Sequence, residues 1–102
     1  MAEDLVEGWT EPVRQTLKAD GSAIDGTGRT ITLELRDRAG NLVDVTGKVG
    51  WYVQASGSAS FTPAAGDLEA SRSPYRARWK VTTSGQDVYF PNADADVWTV
   101  RR

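Results

Sequence analysis

The sequence predicts an all-β fold, a two-sheet antiparallel β-sandwich of Greek-key type, and three observations carry that expectation. Tyr75, Ala77, Trp79 and Val81 alternate with Arg76, Arg78, Lys80 and Thr82, which is the period of a strand with one face buried and one in water. About seven short runs of this kind follow one another at intervals of about ten residues, separated by Gly-, Asn- and Ser-bearing turns. No stretch sustains the 3.6-residue apolar period of a long helix. The same strands closed into a small barrel are the alternative.

Taken in order, Met1 to Glu11 form an acidic segment, with Glu3, Asp4, Glu7 and Glu11 ahead of the first basic residue, Arg14. Glu3 to Glu7 suit one helical turn, too short to hold alone, so residues 1–11 are expected to be an arm and residues 12–102 the domain. A first strand is expected over Pro12 to Ala19, then turns at Asp20-Gly21 and Gly26-Thr27-Gly28 around an inward Ile24. Arg29 to Asp37 is a clear strand, with Ile31, Leu33 and Leu35 on one face. Leu42 to Val45 is a short strand or extended edge, and Val49 to Gln54 another strand. Ala55 to Ser60 is expected to be a loop, Phe61-Thr62 a brief strand, and Pro63 to Leu68 a corner able to hold one 3₁₀ turn. Ser73 to Asn92 is a complete hairpin turning at Ser84-Gly85 and stopped by Pro91, which cannot donate to a ladder. Asp96 to Val100 closes the chain. The expected core is Leu17, Ile24, Ile31, Leu33, Leu35, Val45, Trp51, Val53, Phe61, Leu68, Tyr75, Ala77, Trp79, Val81, Phe90 and Val97.

Composition narrows function. A chain of 102 residues that is 39% hydrophobic suits one small domain, burying roughly 60 to 65% of its unfolded surface. With neither cysteine nor histidine, disulfides, thiolate chemistry, the usual general base and most transition-metal ligand sets are excluded. A net charge of −2 gives no general attraction for nucleic acid or an anionic membrane. The N-terminus lacks the basic and apolar regions of a signal peptide, and a chain made in a cytosol, and kept there or assembled there into something larger, is expected. Asp94 and Asp96 near Asp87 are the best oxygen ligands for a Ca²⁺ ion, without a full calcium-loop spacing; the plain reading is a solvated acidic loop. A carboxylate pair for glycoside cleavage needs a cleft that so small a sandwich rarely offers. No cofactor and no enzymatic activity are expected.

Two constellations point to contacts instead. Four tryptophans, Trp9, Trp51, Trp79 and Trp98, exceed what one small core needs; Trp79 and Trp51 suit the core. Trp9 and Trp98, with Leu5 and Val6 of the acidic segment, suit a neighbouring subunit, since tryptophan dominates interface hot spots. A coplanar row of Tyr52, Tyr89 and Trp98 on one open face would instead indicate a carbohydrate-binding module. The basic row Arg76, Arg78 and Lys80 is an ordinary solvated face pairing with Glu34 or Asp37, or the contact for the acidic arm of an adjacent copy.

The run LKADGSAID, then TITLELRDRAGNLVDVTGKV, then FTPAAGDLEASRSPYRARWKVTTSGQDVYFPN resembles the immunoglobulin-like N-terminal domain of the baseplate upper proteins of tailed bacteriophages. Related small immunoglobulin-like modules decorate phage heads and tails. The resemblance spans roughly Val13 to Arg102 and rests on Asp20-Gly21, Thr30 to Arg36, Gly66-Asp67-Leu68, Tyr75-Arg76-Ala77 and Phe90-Pro91-Asn92 in that order. It implies an immunoglobulin-like sandwich and a non-enzymatic virion role. One module's length suits a decoration, adaptor or fibre-base subunit attached in many copies to capsid or tail proteins; a fragment of a baseplate upper protein is the other reading. The expected contact residues are Leu5, Val6, Trp9, Trp98, Arg76, Arg78 and Lys80, a host glycan is a possible partner, and neither nucleic acid nor a membrane is expected.

Overall fold

Period-two burial organises the longest strand, in which Tyr75, Ala77, Trp79 and Val81 are buried while Arg76 and Thr83 are exposed. In the computed structural model, which describes residues 3–19, 21–90 and 96–102, this strand is β8 (Tyr75–Thr83). The others are β1 (Glu3–Val6), β2 (Val13–Thr16), β3 (Lys18–Ala19), β4 (Ser22–Ala23), β5 (Thr30–Arg36), β6 (Val49–Val53), β7 (Ser58–Phe61), β9 (Gln86–Phe90) and β10 (Asp96–Arg101). One sheet runs β1-β10-β8-β5, with β9 also paired to β8; a second runs β2-β7-β6, and β3-β4 form a small ribbon. β9 lies opposite residues 79–83 and β10 opposite residues 75–77, so the two share one side of β8.

Lettered in chain order, β2, β5, β6, β7 and β8 are strands B, C, D, E and F, and β9 with β10 is G. The sheets then read B-E-D and C-F-G, the order of an immunoglobulin-like sandwich. The first strand departs from the all-antiparallel expectation, because β1 runs parallel to β10, with Leu5 beside Val100. Tyr75 makes the corner typical of this fold: at the start of strand F, its hydroxyl oxygen accepts a hydrogen bond from the Glu69 backbone N–H at 2.9 Å. Two residues on, where disulfide-bearing relatives of the fold place a cysteine, stands the fully buried Ala77.

The sheets are joined by packing and by one buried amide. Phe61 of β7 stacks on Trp98 of β10 with ring centroids 6.1 Å apart. Gln15 of β2 accepts a hydrogen bond from Trp79 Nε1–H of β8 at 2.7 Å. Its own amide nitrogen donates to the Glu3 carboxylate at 3.2 Å and the Asp96 carboxylate at 3.4 Å. Four strands from both sheets therefore meet at one side chain.

Several expectations need correcting. The acidic arm is the edge strand β1, and Leu5 is a core residue at 3% exposure. Trp98 is fully buried and so presents no indole face to a neighbour, and Trp9 packs half-buried against the core. Val53 and Val97 face out at 44% and 40% exposure: a register shift between Trp51 and Val53 turns the first outward, and burying Trp98 with Val100 excludes Val97 from the inner side. The first strand breaks at Leu17 into β2 and β3. Residues 58–60 belong to β7 rather than to a loop, and the 3₁₀ turns fall at Gln54–Ser56 and Ala70–Arg72. The expected features at Asp20, Pro91 and Asn92 lie outside the described residues.

Two stability measurements check this arrangement. Leu5→Ala should cost about 2 to 5 kcal/mol in urea unfolding, as a core truncation does, where a solvated arm would give almost nothing. Gln15→Leu strands the Trp79 N–H and should cost about 1 to 3 kcal/mol, and adding Trp79→Phe should restore part of that loss because both polar partners are then gone.

Candidate functional site

The alternation that buries Trp79 sends the basic row outward. On β8, Arg76, Arg78, Lys80 and Thr82 stand opposite Arg36, Glu34, Thr32 and Thr30 of β5. Glu34 therefore faces Arg78 but forms its ion pair with Arg36, at 3.5 Å. Asp37, the other expected partner, points elsewhere: its carboxylate is held by Arg72 at 3.0 Å. Arg76 lies directly opposite Arg36, a like-charge juxtaposition that disfavours the free sheet. The Arg78 guanidinium covers the Tyr89 ring at 4.3 Å, a cation–π contact that anchors the row's centre.

The remaining strands complete this outer face. β9 adds Asp87, whose carboxylate accepts the Thr82 hydroxyl at 2.7 Å, and Tyr89. β10 adds Val97 opposite Arg76, and β1 adds Asp4 and Val6. Arg101 pairs with Asp4 at 3.0 Å, both side chains about two-thirds exposed, so that pair contributes little. Among the described residues, Arg36, Arg76, Arg78, Lys80 and Arg101 oppose Glu34, Asp87 and Asp4 on this face of a chain whose net charge is −2. The face is locally basic. Exposed Val6 and Val97, at 44% and 40%, flank it.

Of the expected contact residues, Arg76, Arg78, Lys80 and Val6 share this face, Leu5 and Trp98 point inward, and Trp9 is half-buried against the core. Three carboxylates of the acidic arm have partners within the chain: Glu3 accepts from Gln15, Asp4 from Arg101, and Glu7 from the Ala70 backbone N–H at 3.0 Å. The carbohydrate platform is not assembled either. Tyr89 lies on this face, Tyr52 on the outer face of the other sheet beneath the Arg14 guanidinium at 3.8 Å, and Trp98 inside. Asp87 and Asp96 are turned to Thr82 and Gln15, and Asp94 lies outside the described residues. Among the described residues no group of three His, Cys, Asp or Glu side chains is placed to hold a metal ion.

A depression of about 420 Å³ borders the face at its β5 edge, floored by Leu33, Val43 and Val45 and rimmed by Glu34, Asp44 and Lys80. Its wall is the segment after Asp37, which one carboxylate holds in place. Asp37 accepts backbone hydrogen bonds from Ala39 at 2.9 Å and Asn41 at 3.0 Å, beside its Arg72 pair. Those bonds, the Asn41 N–H foremost, hold the Asp37 carboxyl below its ordinary range. The spacing Asp37-Arg38-Ala39-Gly40-Asn41 is an Asx-turn signature that could have identified this anchor from sequence; Arg72 is remote in sequence and left no such sign. Among the described residues no helix is long and apolar enough to cross a membrane.

Protein-family models and curated proteins yield no match to this chain.

Because Asp37 titrates lower when folded than when unfolded, its stabilisation is complete above the ordinary carboxylate pKa of about 3.9 and is lost as pH falls through the folded value. Acid unfolding followed by tryptophan fluorescence should accordingly begin below about pH 4, and Asp37→Asn should flatten the pH dependence of stability below that point.

Proposed function

We propose that the chain is a non-enzymatic structural protein of a tailed-bacteriophage particle, an immunoglobulin-like module attached in many copies to capsid or tail subunits. The resemblance of its successive sequence segments to phage modules supports this reading, as does the immunoglobulin-like order of its sheets. The observation that carries the mode of attachment is the outer face of the five-stranded sheet, where Arg36 stands opposite Arg76 beside Arg78 and Lys80. Two like charges on adjacent strands gain most from an acidic partner surface, which removes their repulsion and fixes orientation through guanidinium–carboxylate pairs. Val6 and Val97 supply apolar contact at the margin. This replaces attachment through Leu5, Trp9 and Trp98, whose side chains serve the module's own core.

Particles purified from the producing host should carry the chain in many copies, counted by quantitative mass spectrometry. Arg76→Glu, which sets a carboxylate opposite Arg36, should lower occupancy by about tenfold or more, with thermal unfolding little changed. Full occupancy in that variant would refute attachment through this face, and absence of the wild-type chain from particles would refute the virion reading itself.

A further inference from the structure

The β5 strand is paired on one side only for part of its length. The Leu35 carbonyl accepts a hydrogen bond from the Val43 N–H at 2.8 Å, and the Asp37 N–H donates to the Asn41 carbonyl at 3.0 Å. The Arg29 carbonyl accepts from Trp51 Nε1–H at 3.1 Å. The polar backbone groups of these odd-numbered residues therefore point away from β8, and strand alternation sends those of Ile31 and Leu33 the same way. Neither has a backbone partner on that side among the described residues. The edge is open between two closed ends.

The 420 Å³ depression lies along this open length, with Leu33, Val43 and Val45 below and Leu42, 59% exposed, on its wall. The charges at its rim are unequally satisfied. Glu34 is paired with Arg36, and the Asp44 carboxylate accepts the Thr46 N–H at 3.0 Å. Lys80 has no ion pair among the described residues. A ligand that suits all three features must offer backbone hydrogen bonds in strand geometry, an apolar side chain directed inward, and a carboxylate for Lys80.

We propose that the open edge of β5 is a strand-acceptor site for an extended peptide segment of a partner protein, in which apolar and acidic residues alternate. The segment pairs with the N–H and C=O groups of Ile31 and Leu33, its apolar residues enter the depression over Leu33 and Val43, and an outward carboxylate meets Lys80. Main-chain pairing supplies affinity and the alternate side chains supply selectivity, as in other strand additions. The site borders the basic face used for attachment and shares Lys80 with it, and it stands whether or not the chain belongs to a virion.

The test is a titration of ¹⁵N-labelled protein with the capped peptide Glu-Val-Glu-Val-Glu, followed by amide chemical shifts. The largest shifts should fall at Ile31, Leu33 and Val45. A peptide N-methylated at alternate residues should bind about tenfold more weakly or not at all, as should the lysine analogue Lys-Val-Lys-Val-Lys. Lys80→Glu should reverse the preference between the two charged peptides. The proposal is overturned if millimolar peptide shifts nothing at these amides, if the N-methylated peptide binds equally well, or if Lys80→Glu leaves the preference unchanged. Shifts at Ile31 and Leu33 that follow protein concentration without peptide would overturn it too, by making a second copy the occupant.

Discussion

The buried amide of Gln15 is the constraint on which the sandwich turns. A glutamine has one acceptor group and two donor hydrogens, and here the carbonyl takes the Trp79 indole while the amino group serves the carboxylates of Glu3 and Asp96. Apolar packing between sheets tolerates sliding, but these bonds are directional. Moving β2 by one residue would turn Gln15 out to solvent and leave the Trp79 N–H buried without its acceptor. The chain has no cysteine with which to tie strand B to strand F, and the same two strands are joined instead by this hydrogen bond. It adds little net free energy and mainly excludes alternative registers, since a fully matched polar contact penalises every arrangement that breaks it.

The small residues of β7 follow from the same requirement. Ala59 is opposite both Gln15 and Trp51, at the centre of the three-stranded sheet. A larger side chain there would compete with the amide and the indole for one volume, and Ala59 is already fully buried. At one end of the molecule a second polar cluster sets the loops. Arg72 bonds Asp37 through its side chain, and its carbonyl accepts the Arg38 N–H at 2.9 Å. Three residues on, Tyr75 holds the Glu69 backbone; burial pushes its phenol pKa up, so the hydroxyl stays neutral. The corner before β8 and the turn after β5 are thereby clamped together, which fixes Leu42 on the wall and Val43 on the floor of the depression.

These two clusters explain which parts of the fold were legible in the sequence. The hairpin of β8 and β9 was legible because its signals are local: strict alternation, and a turn in which Ser84 and Gly85 both take positive φ, 50° and 80°. The strand β5 was legible for the same reason, and with it the outward direction of Arg76, Arg78 and Lys80. β7 was not, because Ser58-Ala59-Ser60 is selected for smallness by residues 44 and 8 positions away and carries no period of its own. β10 offered an apolar residue on each face, Val97 or Trp98, and the choice was made by a parallel partner at the opposite end of the chain. Tryptophans near the termini looked like contact residues for that reason, when the termini themselves meet inside one sheet.

The placement of β1 also decides which strand edges remain. By pairing with β10, β1 covers one end of the five-stranded sheet but leaves β2 without the neighbour that strand A gives it in other immunoglobulin-like sandwiches. Open edges invite pairing with other chains, and proteins blunt them with charge, brevity or irregularity. β1 is four residues long and carries Glu3 and Asp4; β2 is equally short and carries Arg14; β6 is broken by its register shift. β5 has none of these defences along residues 30–33, where Thr30, Ile31, Thr32 and Leu33 are uncharged and the 42–43 segment covers only the far half. An edge protected at both ends and open between them, beside a depression whose Lys80 ammonium has no ion pair among the described residues, differs from an unprotected one. It limits pairing to a short segment of matching chemistry and leaves no length for uncontrolled sheet growth.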